Sequence, residues 1–437
     1  MNSFLPIFVG LMFLPFMAHF AWLGRGVFAV ALLFVYLIAR RWGSLLPYLA
    51  QFGIPADDRA GMRTSLLYFS NILGSAAGAI VTGFVLTNYL TVVQIALGLA
   101  IAGAVCALSL IAMLDIARPE RLRRMAGAAG VLAIALVAVP LMSHRVFENL
   151  LYRTNLDHAF AQVVENRSGI ITVDTDGTVF GNGMYDGRFN VRLQDDRNGI
   201  IRPYALSLVH AAPRDVLMIG LSSGSWAQVI ANNPAVQSLT IVEINRGYLT
   251  LIDEKSEVAS VLRNPKVTII TDDGRRWLRH HPERRFDAIV SNTTWNFRAN
   301  TTNLLSTEFL ELVRQHLNPR GIAFYNTTDS ARVQRTACLA FPYGARFTNH
   351  MVVSDTPIDW NFARWRQTLA AYVIDGKKQF NPQNSQDQAL LEAITSVDQG
   401  SQDLIEGCPQ ILTRTAGQLP VTDNNMGTEW RHPLGLE

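Results

Sequence analysis

Residues 216–245 read VLMIGLSSGSWAQVIANNPAVQSLTIVEIN, and this stretch decides the fold of the second half of the chain. It contains two apolar runs, VLMIG at 216–220 and SLTIVEIN at 238–245. Between them the loop LSSGS leads into WAQVIANN, which has the composition of a short helix. Because parallel strands need a crossover connection of this kind, the stretch predicts a strand–helix–strand unit.

The same alternation continues towards the C-terminus. Strands are predicted at KVTIITDDG (266–274), FDAIVSN (286–292) and GIAFYNTT (321–328), and helices at 246–262, 275–281 and 306–317. Alternation of this kind predicts a parallel sheet covered by helices on both faces. We therefore expect an α/β Rossmann-like domain over residues 211–437.

A smaller β region is expected before this domain, over residues 146–210. The segment GIITVDTDGTVFGNG (169–183) alternates apolar and polar residues on both sides of Asp176–Gly177. An Asp-Gly pair between two such runs is typical of a hairpin turn, so the segment predicts a β-hairpin.

The first 145 residues are predicted to form a transmembrane helical bundle. The segments 64–86, 90–114 and 126–143 are long and apolar enough to cross a bilayer, and 4–23 and 26–39 are two further candidates. A cleaved signal peptide accounts for the first of these at most. The sequence thus predicts about five spans and a lipid bilayer as partner, in an inner or plasma membrane.

The charges of the connections predict an orientation. The 40–63 connection contains Arg40, Arg41, Arg59 and Arg63, and the 115–125 connection contains Arg118, Arg121, Arg123 and Arg124. The 87–89 turn between them is uncharged, so the positive-inside bias puts both basic connections in the cytoplasm. The span 126–143 then delivers the C-terminal domain to the extracytoplasmic side, unless that segment is re-entrant.

The composition argues against two functional classes, nucleic-acid binding and metal binding by cysteines. A net charge of +3 without a basic stripe argues against nucleic-acid binding. The three cysteines, Cys106, Cys338 and Cys408, lack the spacing of a metal site. Cys338 and Cys408 can pair only if their domain faces an oxidising compartment, and the sequence leaves that open.

Ligands of doubly wound sheets bind beyond the carboxyl ends of the strands. The first predicted strand is followed by Gly220, Ser222 and Gly224, the second ends at Glu243, and the third is followed by Asp273–Gly274. Glycines allow close approach to a ligand, and an acid at the second strand can accept hydrogen bonds from ribose hydroxyls. Each acid alone is compatible with a solvated strand end, but together they predict a nucleoside pocket.

These motifs, with the series VTIITDDGRRWL, RRFDAIVSN and LLSTEFLELVRQHLNPRGIAFYN, resemble the spermidine synthase (polyamine aminopropyltransferase) family, in particular its membrane-fused branch. The resemblance covers roughly residues 160–355. It implies a class I methyltransferase fold and S-adenosylmethionine or its decarboxylated form as cofactor. It also implies that Glu243 binds the ribose and Asp273–Gly274 the adenine.

The chain departs from the family at the acceptor site. Where the family has a D-S-x-D-P-type motif with its catalytic aspartate, residues 292–295 read NTTW. The YHE triplet is missing from 198–204, which reads NGIIRPY, and Gly169 stands where the family has glutamine. A diamine acceptor needs carboxylates and a base, so putrescine is not expected to be the acceptor.

Other residues are candidates for the missing roles. The loop TTWNFRANTTN (293–303) follows the fourth strand, so Asn292, Trp295 and Arg298 are candidate catalytic or pocket residues. Asp186, in MYDGRFN (184–190), is either a relocated base or the first residue of an Asp-Gly turn. Asp423 and Glu429, in the segment 421–430, are further acids that can return to the site.

Three functions follow as hypotheses. The first is a membrane-anchored transferase that uses the adenosyl cofactor, with an acceptor other than putrescine. The second is a cofactor-independent extracytoplasmic enzyme on the same fold, for example an N-terminal glutamine cyclase. The third is a non-catalytic membrane partner. A small-molecule or peptide amine is the expected substrate, no metal is expected, and a homo-oligomer is compatible with the sequence.

Overall fold

The computed structural model describes residues 10–153, 158–292, 296–298, 301–396, 405–426 and 431. The chain divides into two compact units, residues 1–175 and residues 176–437. The first unit contains the long apolar helices and a short hairpin, and the second contains the α/β sheet.

The described part of the first unit consists mainly of helices. They are α1 (Phe13–His19), α2 (Val27–Gly53), α3 (Ala60–Ile80), α4 (Val92–Met113), α5 (Arg118–Met142) and α6 (Val146–Tyr152). The 3-10 helix Ala21–Gly26 precedes α2, and a π-helical turn, Val81–Leu86, extends α3 towards Tyr89. Four of these helical segments, Ala21–Gly53, Ala60–Tyr89, Val92–Met113 and Arg118–Met142, are long and apolar enough to cross a membrane.

The large apolar side chains of these helices are mostly exposed within the unit. Leu32, Phe69, Leu110 and Val137 are typical, since each has more than half of its surface uncovered by protein. Apolar surface of this extent is unfavourable in water but is solvated by lipid acyl chains. The four helices therefore indicate a membrane protein.

Two details of the predicted bundle are corrected. Of the predicted span 4–23, the structure describes residues 10–23, where α1 ends at His19 and a 3-10 helix follows from Ala21. Arg40 and Arg41 lie inside α2 rather than in a connection. With 27 residues, α2 is about 40 Å long. It exceeds a hydrocarbon core of about 30 Å, so its polar end can extend beyond the lipid.

The predicted β region contains both strands and helices. Strands β1 (Gln162–Asn166) and β2 (Gly169–Val173) form one antiparallel hairpin, and β3 (Thr178–Gly181) and β4 (Met184–Arg188) form another. The β-hairpin region expected over 146–210 is confirmed, and α6 and two short helices, α7 (Ile201–Tyr204) and α8 (Leu206–Val209), also lie in this range. Short apolar runs such as 204–209 are buried equally well as helix or strand, so periodicity does not separate them.

The second unit is built on an eight-stranded sheet of order β14-β10-β11-β9-β8-β5-β6-β7. Its parallel strands are β5 (Asp215–Ile219), β6 (Ser238–Glu243), β7 (Val267–Thr271), β8 (Phe286–Ser291) and β9 (Leu317–Asn326). The direction of strand order reverses between β5 and β8, and ligands of such sheets bind at this reversal. The Rossmann-like α/β fold predicted from the sequence is confirmed.

Helices cover the sheet. They are α9 (Ser225–Ala231), α10 (Gly247–Asp253), α11 (Gly274–His280), α12 (Thr307–Gln315), α13 (Ala331–Ala340), α14 (Phe362–Ala370), α15 (Ser385–Thr395) and α16 (Cys408–Arg414). The predicted helix 246–262 is two pieces, α10 and the 3-10 helix Ala259–Arg263. The polar residues 254–257 supply no apolar side chain to the core, so the first piece ends there.

An antiparallel extension of the sheet was not foreseen. Strands β10 (Tyr343–Phe347), β11 (His350–Ser354) and β14 (Ile405–Gly407) continue it beyond β9, and β12 (Val373–Ile374) pairs separately with β13 (Lys377–Lys378). A disulfide joins Cys338 in α13 to Cys408 at the start of α16. The bond ties α16, which follows the edge strand β14, to the helix α13.

Candidate active site

The loop after β5 has the backbone that a tight strand-to-helix turn requires. Gly220 and Gly224 have φ of 86° and 77°, a region that side chains disfavour. A Cβ at Gly224 would lie 2.9 Å from Cδ1 of Ile252, so the loop also depends on glycine for space. Ser222 adopts φ 53° without this freedom, which places strain at the centre of the loop.

Strand β4 covers this loop. Gly187 lies against it so closely that a Cβ there would be 3.1 Å from the hydroxyl oxygens of both Ser222 and Ser223. The hydroxyl of Ser225 donates a 2.6 Å hydrogen bond to the carbonyl of Arg188 and accepts one from the backbone N–H of Asn190. The loop residues 220–225 are consequently buried.

Glu243, at the end of β6, is a buried carboxyl group. Only 4% of its surface is exposed. Its two oxygens accept hydrogen bonds from the backbone N–H groups of Leu221, at 2.6 Å, and Asn245, at 2.7 Å. Burial outweighs these bonds and raises the pKa of Glu243 to about 7. A group with this pKa exchanges protons readily at neutral pH.

Two of the candidate catalytic residues meet beside Glu243. Arg298 Nη1 donates to Asp186 Oδ1 over 3.0 Å, and the hydroxyl of Tyr248 donates to Asp186 Oδ2. All three side chains are largely buried, and a Cβ at Gly181 would overlap their polar atoms. We call Asp186, Tyr248 and Arg298 the acid–arginine–tyrosine cluster. Asp186 and Arg298 also interact electrostatically with Glu243.

The cluster connects segments on both sides of β5. Arg298 follows β8 and Tyr248 follows β6, and these strands flank β5 in the sheet. Asp186, in β4, accepts hydrogen bonds from both Tyr248 and Arg298. Of the two alternatives given for Asp186, the start of an Asp-Gly turn is wrong, because the residue lies within β4, and the relocated base stays a prediction. Asn292 directly follows β8 and is partly buried, while Trp295 lies outside the described residues.

Asp273 and Gly274 have structural roles at the end of β7. The carboxylate of Asp273 accepts a hydrogen bond from the N–H of Arg276 and caps α11. A Cβ at Gly274 would lie 2.5 Å from Cγ2 of Ile219, so glycine permits α11 to approach β5. The capping hydrogen bond and the close packing account for an aspartate at 273 and a glycine at 274 without a bound ligand.

Of the two further acids, Asp423 is part of a structural ion pair. Arg275 donates to both of its oxygens, at 2.8 and 2.5 Å, and Ser306 donates to it at 2.7 Å. The hydrogen bond from Arg275 holds the pKa of Asp423 below its usual range. Glu429 lies outside the described residues.

The sequence did not identify Tyr248 or Ser291 as site residues. Tyr248 lies in α10 with no motif around it, and its role depends on a partner 62 residues away. The hydroxyl groups of Ser291, at the end of β8, and Ser222 are buried and have no hydrogen-bond partner among the described residues. Buried hydroxyls of this kind mark a site where another polar group is expected.

The surroundings of Glu243 are closely packed. Glu243 stands where an acid would bind ribose hydroxyls. Each of its oxygens accepts one backbone hydrogen bond and keeps a lone pair for a further donor, and 4% of its surface is exposed. The glycine loop lies under β4, and the acid–arginine–tyrosine cluster closes the end of β5. Ile244, next to the buried Glu243 in the sequence, is exposed over 58% of its surface.

Comparisons with known proteins identify relatives of this chain. Residues 205–338 match the family model described as "Spermine/spermidine synthase domain". Polyamine aminopropyltransferase 2 of Streptomyces coelicolor is 25% identical over 64% of this chain and 54% of its own length. Polyamine aminopropyltransferase of Streptococcus pneumoniae is 30% identical over 33% of this chain and 54% of its own length.

The chain thus spans about half the length of these curated relatives. Among solved structures, spermidine synthase from Thermotoga maritima aligns with a TM-score of 0.40 and 13% identity, over 56% of this chain and 86% of that one. The resemblance expected from the sequence is confirmed: residues 205–338 match the spermine/spermidine synthase domain, and the chain is similar to polyamine aminopropyltransferases.

Proposed function

We propose that this protein is a membrane-anchored enzyme whose α/β domain lies outside the cytoplasm. We propose further that it performs acid–base chemistry on an amine-bearing substrate without an adenosyl cofactor. Closure of the N-terminal glutamine of a peptide to a lactam is the specific reaction we put forward. The observation that carries the proposal is the disulfide in the core of the domain.

The disulfide Cys338–Cys408 is part of the folded core. The two cysteines are 8% and 7% exposed and belong to an apolar core cluster of the α/β domain. A Cβ at Gly344 would lie 2.8 Å from the sulfur of Cys408, so the backbone leaves room for the bond. Structural disulfides persist in oxidising compartments and are rare in the cytosol, where adenosyl cofactors are made and used.

The charges of the connections between the helices also support a location of the α/β domain outside the cytoplasm. The connection 54–59 and the connection 114–117 are flanked by arginines, whereas the connection at 90–91 is uncharged. The positive-inside bias therefore places the first two in the cytoplasm. Because α5 begins in the cytoplasm and crosses the membrane once, the residues that follow it then lie on the extracytoplasmic side. This holds whatever the arrangement of the residues before α2.

A C-terminal reporter fusion tests the orientation. We expect a C-terminal alkaline phosphatase fusion to be active and a fluorescent protein that folds only in the cytosol to be dark. Fusions at residue 116, in the cytoplasmic connection, should give the opposite pair of signals and serve as the matched control. Cytosolic fluorescence from the C-terminal fusion would contradict the extracytoplasmic assignment.

The site supplies the groups that the proposed reaction needs. The α-amine attacks the side-chain carbonyl carbon of glutamine, a C–N bond forms, and the side-chain nitrogen leaves as ammonia. The atoms balance without a second substrate. Glu243, with a pKa of about 7, takes the proton from the amine and returns it to the leaving nitrogen. Asp186, Tyr248 and Arg298 border Glu243 and supply polar contacts for the substrate.

Synthetic peptides with N-terminal glutamine test this proposal. We expect ammonia release, followed by mass spectrometry, with a kcat/KM that rises with pH. The rise begins as Glu243 ionises near its pKa of about 7 and continues as the substrate amine, of pKa about 7.7–8.0, loses its proton. Glu243→Gln should lower kcat by about a hundredfold or more. The matched control Glu257→Gln, on a remote exposed side chain, should be unaffected.

An adenosyl-dependent transferase is the second candidate. The family match, the position of Glu243 at the end of the second parallel strand and the exposed Ile244 favour it. Calorimetry with methylthioadenosine separates the two candidates. Saturable binding that Glu243→Ala abolishes, together with inert glutamine peptides, would replace the first proposal by this one.

A further inference from the structure

An arginine outside the acid–arginine–tyrosine cluster is oriented by neutral groups alone. Arg202, in α7, donates from Nε to the carbonyl of Gly199 at 2.7 Å and from Nη2 to the carbonyl of Asn198 at 2.8 Å. Its Nη1 donates to Oδ1 of Asn349 at 3.1 Å. Its Cζ lies 5.5 Å from the centroid of the Trp226 ring, which is a cation–π contact. The guanidinium is therefore held on several sides, and none of these contacts is with a carboxylate.

The backbone at Gly199 makes room for this guanidinium. Gly199 has φ of 62°, which side chains disfavour, and a Cβ there would overlap Nη2 and Cζ of Arg202. A glycine is thus required both for the turn and for the position of the cation that lies against it.

Among the residues that the structure describes, none forms a salt bridge with Arg202. Asp196 and Asp329 act on it only electrostatically, from longer distances. The carboxylate of Asp196 accepts hydrogen bonds from the N–H groups of Ile200, at 2.7 Å, and Ile201, at 3.1 Å, and so serves the start of α7. A guanidinium has five N–H groups, and the three hydrogen bonds of Arg202 leave two of them for a further acceptor.

A buried histidine bonds the same amide oxygen as Arg202. Because a guanidinium only donates, the Asn349 atom that faces it is the oxygen, and Nδ1 of His350, 2.9 Å from that oxygen, must carry a hydrogen. Burial and the charge of Arg202 lower the pKa of His350 far below its ordinary value, so the ring is neutral and Nε2 is an acceptor. His350 is fully buried between Trp226 and Phe324, and Nε2 has no hydrogen-bond partner in the described part of the chain.

We call Arg202, Asn349 and His350 the arginine–histidine network. It lies at the carboxyl edge of the parallel strands, since His350 begins β11 opposite Asn326, the last residue of β9. Tyr185, in β4, interacts electrostatically with both Arg202 and Asp186. The network therefore borders the acid–arginine–tyrosine cluster.

We propose that the arginine–histidine network binds the C-terminal residue of a short peptide. Arg202 receives the carboxylate, the acceptor with which a guanidinium forms its strongest hydrogen bonds. Nε2 of His350 accepts the amide N–H of the same residue, which supplies the partner that a buried acceptor requires. In a peptide one carbon atom joins these two groups, and in the network one amide oxygen joins the cation and the imidazole. The inference rests on the proposed peptide substrate and adds that the peptide is short enough for its C-terminus to reach the site.

Calorimetry on the whole protein in detergent tests the proposal with three probes. N-acetylalanine carries the carboxylate and the N–H, N-acetylalanine amide lacks the carboxylate, and O-acetyllactate has an ester oxygen in place of the N–H. We expect N-acetylalanine to bind and each derivative to bind about tenfold more weakly, or worse. Equal affinity for N-acetylalanine and either derivative, or no binding of N-acetylalanine, would overturn the proposal. None of the probes has a free amine, so this result is separate from the test of ammonia release.

Variants assign the two contacts. Arg202→Gln should weaken binding of N-acetylalanine at least tenfold and leave binding of N-acetylalanine amide unchanged. His350→Phe keeps a ring between Trp226 and Phe324 but removes the acceptor, so it should bind N-acetylalanine and O-acetyllactate equally. This second variant decides the proposal even if Arg202→Gln does not fold. Arg263→Gln, which breaks an exposed ion pair elsewhere in the domain, is the matched control. A folded His350→Phe protein that still prefers N-acetylalanine to O-acetyllactate would refute the assignment.

Discussion

Replacing Cys338 and Cys408 together by serine is expected to lower the free energy of unfolding of the α/β domain by about 4 kcal/mol. The two cysteines are 70 residues apart in sequence. A cross-link that closes a loop of this length removes conformational freedom from the unfolded chain, and this is the main source of its stabilisation. The loss should be seen in denaturant unfolding followed by tryptophan fluorescence in detergent.

Two comparisons make this result specific. Cys106→Ser removes the free thiol, which is exposed in the membrane helix α4, and should leave the stability unchanged. Treatment of the wild-type protein with reductant should reproduce the loss of the double variant. If protein purified from the membrane had two free thiols at these positions, the domain would face a reducing compartment and the proposed side of the membrane would be wrong.

Replacing Arg298 by methionine is expected to cost about 3–5 kcal/mol of stability. The substitution keeps much of the side-chain volume but leaves Asp186 buried without its cation, close to the carboxyl group of Glu243. A buried charge that has lost its partner retains its desolvation penalty and loses the compensating attraction. Thermal unfolding of the variant should show the change, and it should also lower any activity of the site.

A double-mutant cycle measures the interaction energy between Asp186 and Arg298 separately from their contacts with other residues. Asp186→Asn with Arg298→Met removes the uncompensated charge, so the double variant should be more stable than Arg298→Met alone. Arg263→Met breaks an exposed pair with Asp253 and should cost well under 1 kcal/mol. Strict additivity of Asp186→Asn and Arg298→Met would show that the two side chains do not interact as described.

Much of the fold could be predicted because its signals are local. The runs around 216–245 alternate between strand and helix composition, and every predicted parallel strand is found within a few residues. The antiparallel strands β10, β11 and β14 were missed, since nothing in their sequence shows where they pair. The short helices α7 and α8 were missed because apolar runs of this length fit either structure.

The candidate site was predicted less completely. Glu243 and Arg298 were chosen as candidates from their positions after predicted strands, and Asp186 was chosen with a turn as one of its two alternatives, whereas it lies in a strand. Nothing in the sequence around Tyr248 indicated a functional role, because a tyrosine in a helix is usually part of the core.

The sequence by itself determined the apolar helices, the alternating α/β order and the family resemblance, because each rests on residues close together in the chain. Only the tertiary structure decided that Asp186 meets Arg298, which is 112 positions away in the sequence, and that Cys338 meets Cys408. It also decided that the loop after β5 is covered by β4, so that Glu243 is buried. Burial and long-range pairing arise from packing, and packing sets the charge, the pKa and the access on which function depends.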